Sequence, residues 1–164
     1  MARGPSERLR SHRDLRVWQQ AMDLAVEVQV ASNHFPSNER YSLTDQVRRS
    51  ARSVAANIAE AWRKRRYGPA FVAKLNDAEG EAAETQTHLE LAVRCRYLTA
   101  DRAATLDQRY ERLLGQLVTM APCPTCEGHG DVIEKPCTGC SGHGRTATER
   151  TGTGRSPSGG ENGT

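Results

Sequence analysis

The sequence predicts an all-α protein: an antiparallel up-down four-helix bundle, followed by a small cysteine-bearing appendage and a disordered tail. Three observations carry that expectation. Apolar residues recur at helical period through four successive segments. The apolar content is mainly Ala, Leu and Val, with only 5% aromatic residues, which suits closely packed helices better than a β-sandwich. Short polar breaks containing Pro, Gly, Ser or Thr separate the segments, so each helix can fold back on the one before it. Each helix alone would be marginal in water, and burying four apolar faces together is what stabilises them.

Residues 1–11 are polar and expected to be a flexible N-terminus, with the bundle occupying residues 12–120. Ser11 and Asp14 have capping-box spacing. The first helix places Leu15, Trp18, Met22, Ala25 and Gln29 on one row, with Val17, Ala21, Leu24 and Val28 beside it, and Phe35-Pro36 ends it. A second helix begins near Ser42, with Leu43, Val47, Ser50, Val54, Ile58 and Ala61 inward. Gly68-Pro69 then breaks the pattern, and Pro69 fits the first turn of a third helix. Phe71, Leu75, Ala78, Ala82, Leu89 and Val93 form its inner row, and Cys95 reads as a small packing residue. Thr99, followed by Asp101, opens a fourth helix with Leu106, Tyr110, Leu113 and Leu117 inward.

After the helices an eight-residue unit occurs twice. Residues 123–130 and 137–144 both read C-x-x-C-x-G-x-G. Zinc favours tetrahedral thiolate ligation, and each C-x-x-C turn can supply one edge of that tetrahedron. Cys123, Cys126, Cys137 and Cys140 are therefore expected to hold one structural Zn2+ in a four-cysteine knuckle over residues 121–145. Four thiolates leave no open position for catalysis. His129 and His143 stand between glycines and are expected to be exposed rather than ligating. Residues 146–164 are rich in Thr, Gly, Ser and Arg and are expected to be disordered.

The net charge of +3 is modest, but its distribution is uneven. Between Arg40 and Arg66 there are eight basic residues against two acidic ones. Arg48, Arg49, Arg52, Arg63, Lys64, Arg65 and Arg66 are the candidate nucleic-acid contacts, and Trp62 and Tyr67 could stack on unpaired bases. The third helix is acidic, so basic and acidic helices pairing with one another is the competing account. Asn57, Glu60 and Glu84 lie close to inward rows without a nucleophile or metal partner in view. They are expected to be structural, bonding across helices to Arg48 or Arg49. No run of about 18 apolar residues exists, and no apolar stretch follows the N-terminal arginines, so a cytoplasmic, membrane-free protein is expected.

Two resemblances add to this reading. Residues 123–145, including Val132-Ile133 and Lys135-Pro136, resemble the cysteine-rich region of DnaJ-type co-chaperones. In that family four such units make two zinc centres. Two units stand here, without the His-Pro-Asp signature of a J-domain, so the resemblance implies one zinc knuckle and does not justify calling the protein a chaperone. The stretch from Arg13 to Met120 resembles the four helix bundle family encoded within intervening sequences of bacterial 23S rRNA genes. Leu15-Arg-Val-Trp18-Gln-Gln-Ala21, Phe35-Pro36, Glu39-Arg-Tyr41-Ser-Leu43, Gln46-Val-Arg48-Arg49-Ser50, Asn57-Ile-Ala-Glu60, Glu84-Thr-Gln86 and Leu89-Glu-Leu-Ala92 carry the likeness. Ala61 departs from it where glycine is the common form. That resemblance implies a non-enzymatic homo-oligomer, a pentamer in relatives. One branch of the family is an accessory protein of diversity-generating retroelements, which binds a reverse transcriptase and nucleic acid. The function expected is a nucleic-acid-binding accessory protein with RNA or DNA as partner. The alternative is a protein-interaction or assembly module whose knuckle docks a partner or an unfolded polypeptide.

Overall fold

The computed structural model describes residues 9–122, together with 125, 131–132, 135–136, 138–139 and 145–147. Four helices form the body: α1 (Arg16–Ser32), α2 (Leu43–Arg63), α3 (Gly68–Arg94) and α4 (Ala100–Leu117). Among the described residues four short strands follow: β1 (Met120–Pro122), β2 (Asp131–Val132), β3 (Lys135–Pro136) and β4 (Arg145–Ala147). β1 pairs antiparallel with β4, and β2 with β3. β4 runs to Ala147, two residues into the segment expected to be tail.

Side-chain ties fix the helix directions. Arg48 of α2 reaches Ser32 at the end of α1, while Arg52, one turn later, reaches back to Gln29. Ser50 meets Thr85 of α3, and Asn57 further along α2 meets Lys74 nearer the start of α3. Gln86 of α3 bonds Asp107 and Glu111 of α4, and Arg109 of α4 pairs with Glu27 of α1. α1 packs on α2, α2 on α3, α3 on α4 and α4 on α1, which is the neighbour order of an up-down bundle.

The inner rows of α2 and α4 are those the periodicity predicts. Leu43, Val47, Ser50, Val54, Ile58 and Ala61 are all buried, as are Leu106, Tyr110, Leu113 and Leu117. In α1 the second row, Val17, Ala21, Leu24 and Val28, is buried throughout, whereas the first is buried at Leu15, half-buried at Trp18, Ala25 and Gln29, and exposed at Met22. The two rows are almost equally apolar, so period alone cannot choose between them. α3 buries Ala92 rather than Val93.

The helix ends show how the chain turns. Ser11 caps the short 3-10 turn His12–Asp14, and Asp14 reaches back to the Ser11 backbone, completing the expected capping box. Ser42 does not cap α2. Its hydroxyl donates instead to the carboxylate of Glu39, which also accepts from the Leu43 backbone N–H at 3.2 Å. Pro69 sits in the first turn of α3, and Thr99 accepts from the Arg102 N–H. At the end of α3, Arg96 adopts φ 62° and closes a Schellman turn, with Tyr97 N–H donating to the Ala92 carbonyl at 2.8 Å and Arg96 N–H to that of Val93 at 2.9 Å. This turn ends the helix before Cys95, which is exposed and not a packing residue.

A left-handed backbone costs about 1 kcal/mol for a residue with a Cβ and almost nothing for glycine. Arg96→Gly is therefore expected to stabilise the bundle by about 0.5–1 kcal/mol, read as a higher urea midpoint with unchanged helical circular dichroism.

Candidate nucleic-acid interface and cysteine module

The basic run of α2 divides into two groups whose nearest members, Arg52 and Arg63, are eleven positions or about 16 Å apart along the helix axis. The first group is largely committed to the fold. The Arg48 guanidinium donates to Ser32 Oγ at 2.7 Å and Asn33 Oδ1 at 2.9 Å, clamping the C-terminal end of α1, where carbonyls lack helical partners. Arg52 donates to Gln29 Oε1 at 2.8 Å. Arg49 is exposed and lies 3.7 Å from Asp45 one turn back, a pair of little energetic weight.

The second group stands at the C-terminal end of α2, where positive charge complements the helix dipole. Arg63, Lys64 and Arg66 are exposed, with no carboxylate partner among the described residues. Arg65 differs. Its guanidinium lies over the Trp62 ring at 4.1 Å and donates to the Trp62 carbonyl at 2.7 Å, so it locks the turn. Partial burial, then the neighbouring charges of Arg66 and Arg63, lower its pKa from the ordinary arginine value. Trp62 is 4% exposed and belongs to the core, which corrects the expectation that it stacks on bases. Tyr67, at 66% exposure, presents its ring to solvent.

A contribution invisible in the sequence comes from the N-terminal turn. It packs against α2, and His12 sits edge-on to Trp18 with ring centroids 5.1 Å apart. Burial, followed by the charges of Arg13 and Arg63, holds the His12 pKa below its ordinary value. Arg13 and Arg63 therefore share one neighbourhood although fifty residues separate them.

Two of the three polar residues bond across helices as expected, but with a different partner. Asn57 and Glu60 bond to Lys74 of α3 and not to Arg48 or Arg49. The Lys74 ammonium lies 2.9 Å from Glu60, 3.4 Å from Asp77 and 3.5 Å from Asn57 Oδ1. The Glu60 carboxylate, and then that of Asp77, hold the Lys74 pKa above its ordinary value. Glu84 pairs along its own helix with His88 at 3.2 Å. With Arg49 it lines a polar groove of about 320 Å³ between α2 and α3, together with Gln46, Ser50, Ser53 and Glu81. Burial, then the charges of Glu84 and Asp77, raises the Glu81 pKa. Among the described residues no group of three or more His, Cys, Asp or Glu is placed to hold a metal.

Cys123, Cys126, Cys137 and Cys140 lie outside the described residues, as do His129 and His143. What is described brackets them. Pro122 pairs with Arg145, so the chain closes on itself around the span that carries all four cysteines. Asp131 pairs with Pro136, so the chain reverses between the first C-x-x-C and the second. Both pairings fit a four-thiolate zinc ion, which needs two C-x-x-C units brought together from sequence positions eleven or more residues apart.

The fold and its surface thus define a four-helix bundle organised by inter-helix polar ties, with an appended cysteine-rich segment. Residues 13–119 match the model of the 23S rRNA-intervening sequence protein, and the chain belongs to that family. A protein of unknown function from the S23 ribosomal protein family of Bacteroides thetaiotaomicron has a similar structure, with a TM-score of 0.56 and 30% identity, covering 62% of this chain and 94% of that one. Part of the chain is also similar to two proteins named chaperone protein DnaJ 2. That of Streptomyces coelicolor is 40% identical over 89 residues, which is 54% of this chain and 22% of the relative. That of Streptomyces avermitilis is 41% identical over 85 residues, 52% of this chain and 21% of the relative. The chain spans about a fifth of the length of these curated relatives. No described helix is long and apolar enough to cross a membrane.

Proposed function

We propose that the protein is a non-enzymatic, oligomeric accessory factor that binds RNA or DNA through the basic end of its bundle and carries one structural zinc ion. The observation that carries this reading is the cluster of Arg63, Lys64 and Arg66, exposed and free of carboxylate partners among the described residues, where the rest of α2 spends its arginines on internal ties. Phosphates are the complementary partner for such a cluster, and repetition around an oligomer multiplies its field. Arg48, Arg52 and Arg65 support the interface indirectly by holding the helices and the turn in place.

The oligomeric reading is supported by a second feature. Met22, Val26 and Val30 are exposed at four-residue spacing along α1, forming an apolar row on one helix face. It leads into a groove of about 490 Å³ lined mainly by apolar surface, including Ala31, Tyr97 and Leu98. A second copy of the chain is the occupant the family resemblance implies, with a pentamer as the closed form.

Cys123, Cys126, Cys137 and Cys140 would hold the zinc ion, which supplies a closed cross-link and no reactive position. Similarity to the DnaJ proteins supports this assignment. A protein-docking module remains the second reading, favoured by the same similarity, with a reverse transcriptase among its candidate partners.

Three outcomes are expected. Binding of a labelled RNA or DNA fragment should weaken steeply with salt, and Arg63→Gln with Lys64→Gln and Arg66→Gln should lower the slope of log K against log salt by about 2–3. Affinity that persists unchanged in high salt would favour protein docking. Met22→Glu with Val26→Glu should shift the molar mass from light scattering towards the monomer while leaving the helical spectrum intact. Chelation should release one zinc per chain, measured by a colorimetric indicator, and leave the α-helical signal in place. Collapse of that signal would make bundle and knuckle one folding unit.

A further inference from the structure

We infer that the basic end of the bundle takes an unpaired stretch of nucleic acid, with Tyr67 as the platform on which one base stacks. This rests on the nucleic-acid reading above and specifies its substrate. Tyr67 is the N-cap of α3, and its backbone is fixed on both sides: its N–H donates to the Lys64 carbonyl at 2.9 Å, and its carbonyl accepts from the Phe71 N–H at 3.0 Å. The backbone that carries the ring is thus set at a corner of the fold, and Tyr67 is 66% exposed with no aromatic or cationic neighbour stacked on its ring among the described residues. A large aromatic side chain so placed carries a cost in water that a ligand face would remove.

The surroundings select the ligand. Lys64 and Arg66 precede Tyr67 in the α2–α3 turn, and Arg63 and Arg13 extend the cationic surface towards the N-terminal turn. Among the described residues, two acidic groups near this end are already engaged. The Asp14 carboxylate accepts from the backbone N–H groups of Arg10 and Ser11 at 2.9 and 3.0 Å, and Glu60 pairs with Lys74. Arg65 is withdrawn over Trp62 and stiffens the turn between them. Cations around an open aromatic face match a single strand, which offers phosphates and an uncovered base together. A duplex offers the phosphates but keeps its base faces stacked, so it can use the arginines and not the tyrosine.

The test uses the full chain with a fluorescein-labelled 15-nucleotide single strand, a duplex of the same length, and phosphatidylserine vesicles, at low salt. The wild type should prefer the single strand. Tyr67→Ala should weaken single-strand binding about 5- to 100-fold and leave duplex binding unchanged, whereas Tyr67→Phe, which keeps the ring face, should bind like the wild type. Loss in both variants would assign the effect to the hydroxyl and overturn stacking. Equal binding of strand and duplex with Tyr67→Ala silent would overturn the inference but leave the nucleic-acid reading standing. Binding of vesicles alone, or of no probe, would overturn both.

Discussion

The structure depends on the burial of one face of α2 against its two neighbours. Val47, Val54 and Ile58 are at 0% exposure, and Leu43, Ala51 and Ala61 are close to it. This row meets α1 on one side and α3 on the other, so the position of α2 sets theirs, and α4 closes the ring against both. Complete truncation of such a side chain typically costs about 2–5 kcal/mol, which is a large part of the stability of an ordinary domain. Ser50, a polar position in the row, is accommodated because its hydroxyl donates to the Val47 carbonyl and meets the Thr85 hydroxyl at 2.9 Å. That buried contact also fixes the axial register between α2 and α3, since a slip of one turn would leave both hydroxyls facing apolar side chains.

Once the inner face of α2 is fixed, its outer face follows, and position along the helix decides what each arginine does. Near the N-terminal half of α2 the neighbour is the end of α1, whose oxygen acceptors on Ser32, Asn33 and Gln29 draw in Arg48 and Arg52. At the C-terminal end the neighbours are the N-terminal turn and the start of α3. They offer basic side chains and engaged carboxylates, so Arg63, Lys64 and Arg66 stay in solvent. Seven basic residues that look equivalent in sequence thereby become a structural set and an available set.

The pattern of the sequence made α2 and α4 readable because each has one sharply apolar face. α1 was ambiguous for the opposite reason: Trp18, Met22 and Ala25 in the first row are about as apolar as the row that is buried throughout. The charge concentration on α2 was legible by counting, but its division was not, because neutral oxygen acceptors far away in the chain leave no charge pattern to read. Lys74 is a lone cation on an otherwise acidic stretch of α3, and its pairing with Asn57 and Glu60 depends on the helix packing that brings it beside them. Trp62 illustrates a further limit. A tryptophan beside four basic residues looks like a binding residue, and only the helix phase shows that it faces inward while Tyr67, beyond the helix end, faces out. The repeated C-x-x-C unit was legible from spacing alone; its cysteines lie outside the described residues, with β1 and β4 paired on either side of them and β2 and β3 paired between the two units.

Helix lengths explain where the cysteine-bearing segment joins the bundle. α3 has 27 residues and α4 has 18, so α4 runs back along α3 and stops about nine residues, or roughly 13 Å, short of its beginning. The first turns of α3 would then lack a neighbour on that flank. β1 supplies one: it packs against α3, and Met120 lies against the core. The bundle therefore ends in a strand and not in a loose linker, and pairing of that strand with β4 ties the far side of the cysteine segment to the same place. Because α2 and α4 both run towards this end, the appended segment leaves the bundle on the side where α2 presents Arg63, Lys64 and Arg66. A strand or partner held at those residues would meet the root of the cysteine segment as part of the same surface. The joining of two unrelated sequence patterns in one chain thus has a physical reading: the shorter fourth helix leaves room for the second to be seated beside the charged end of the first.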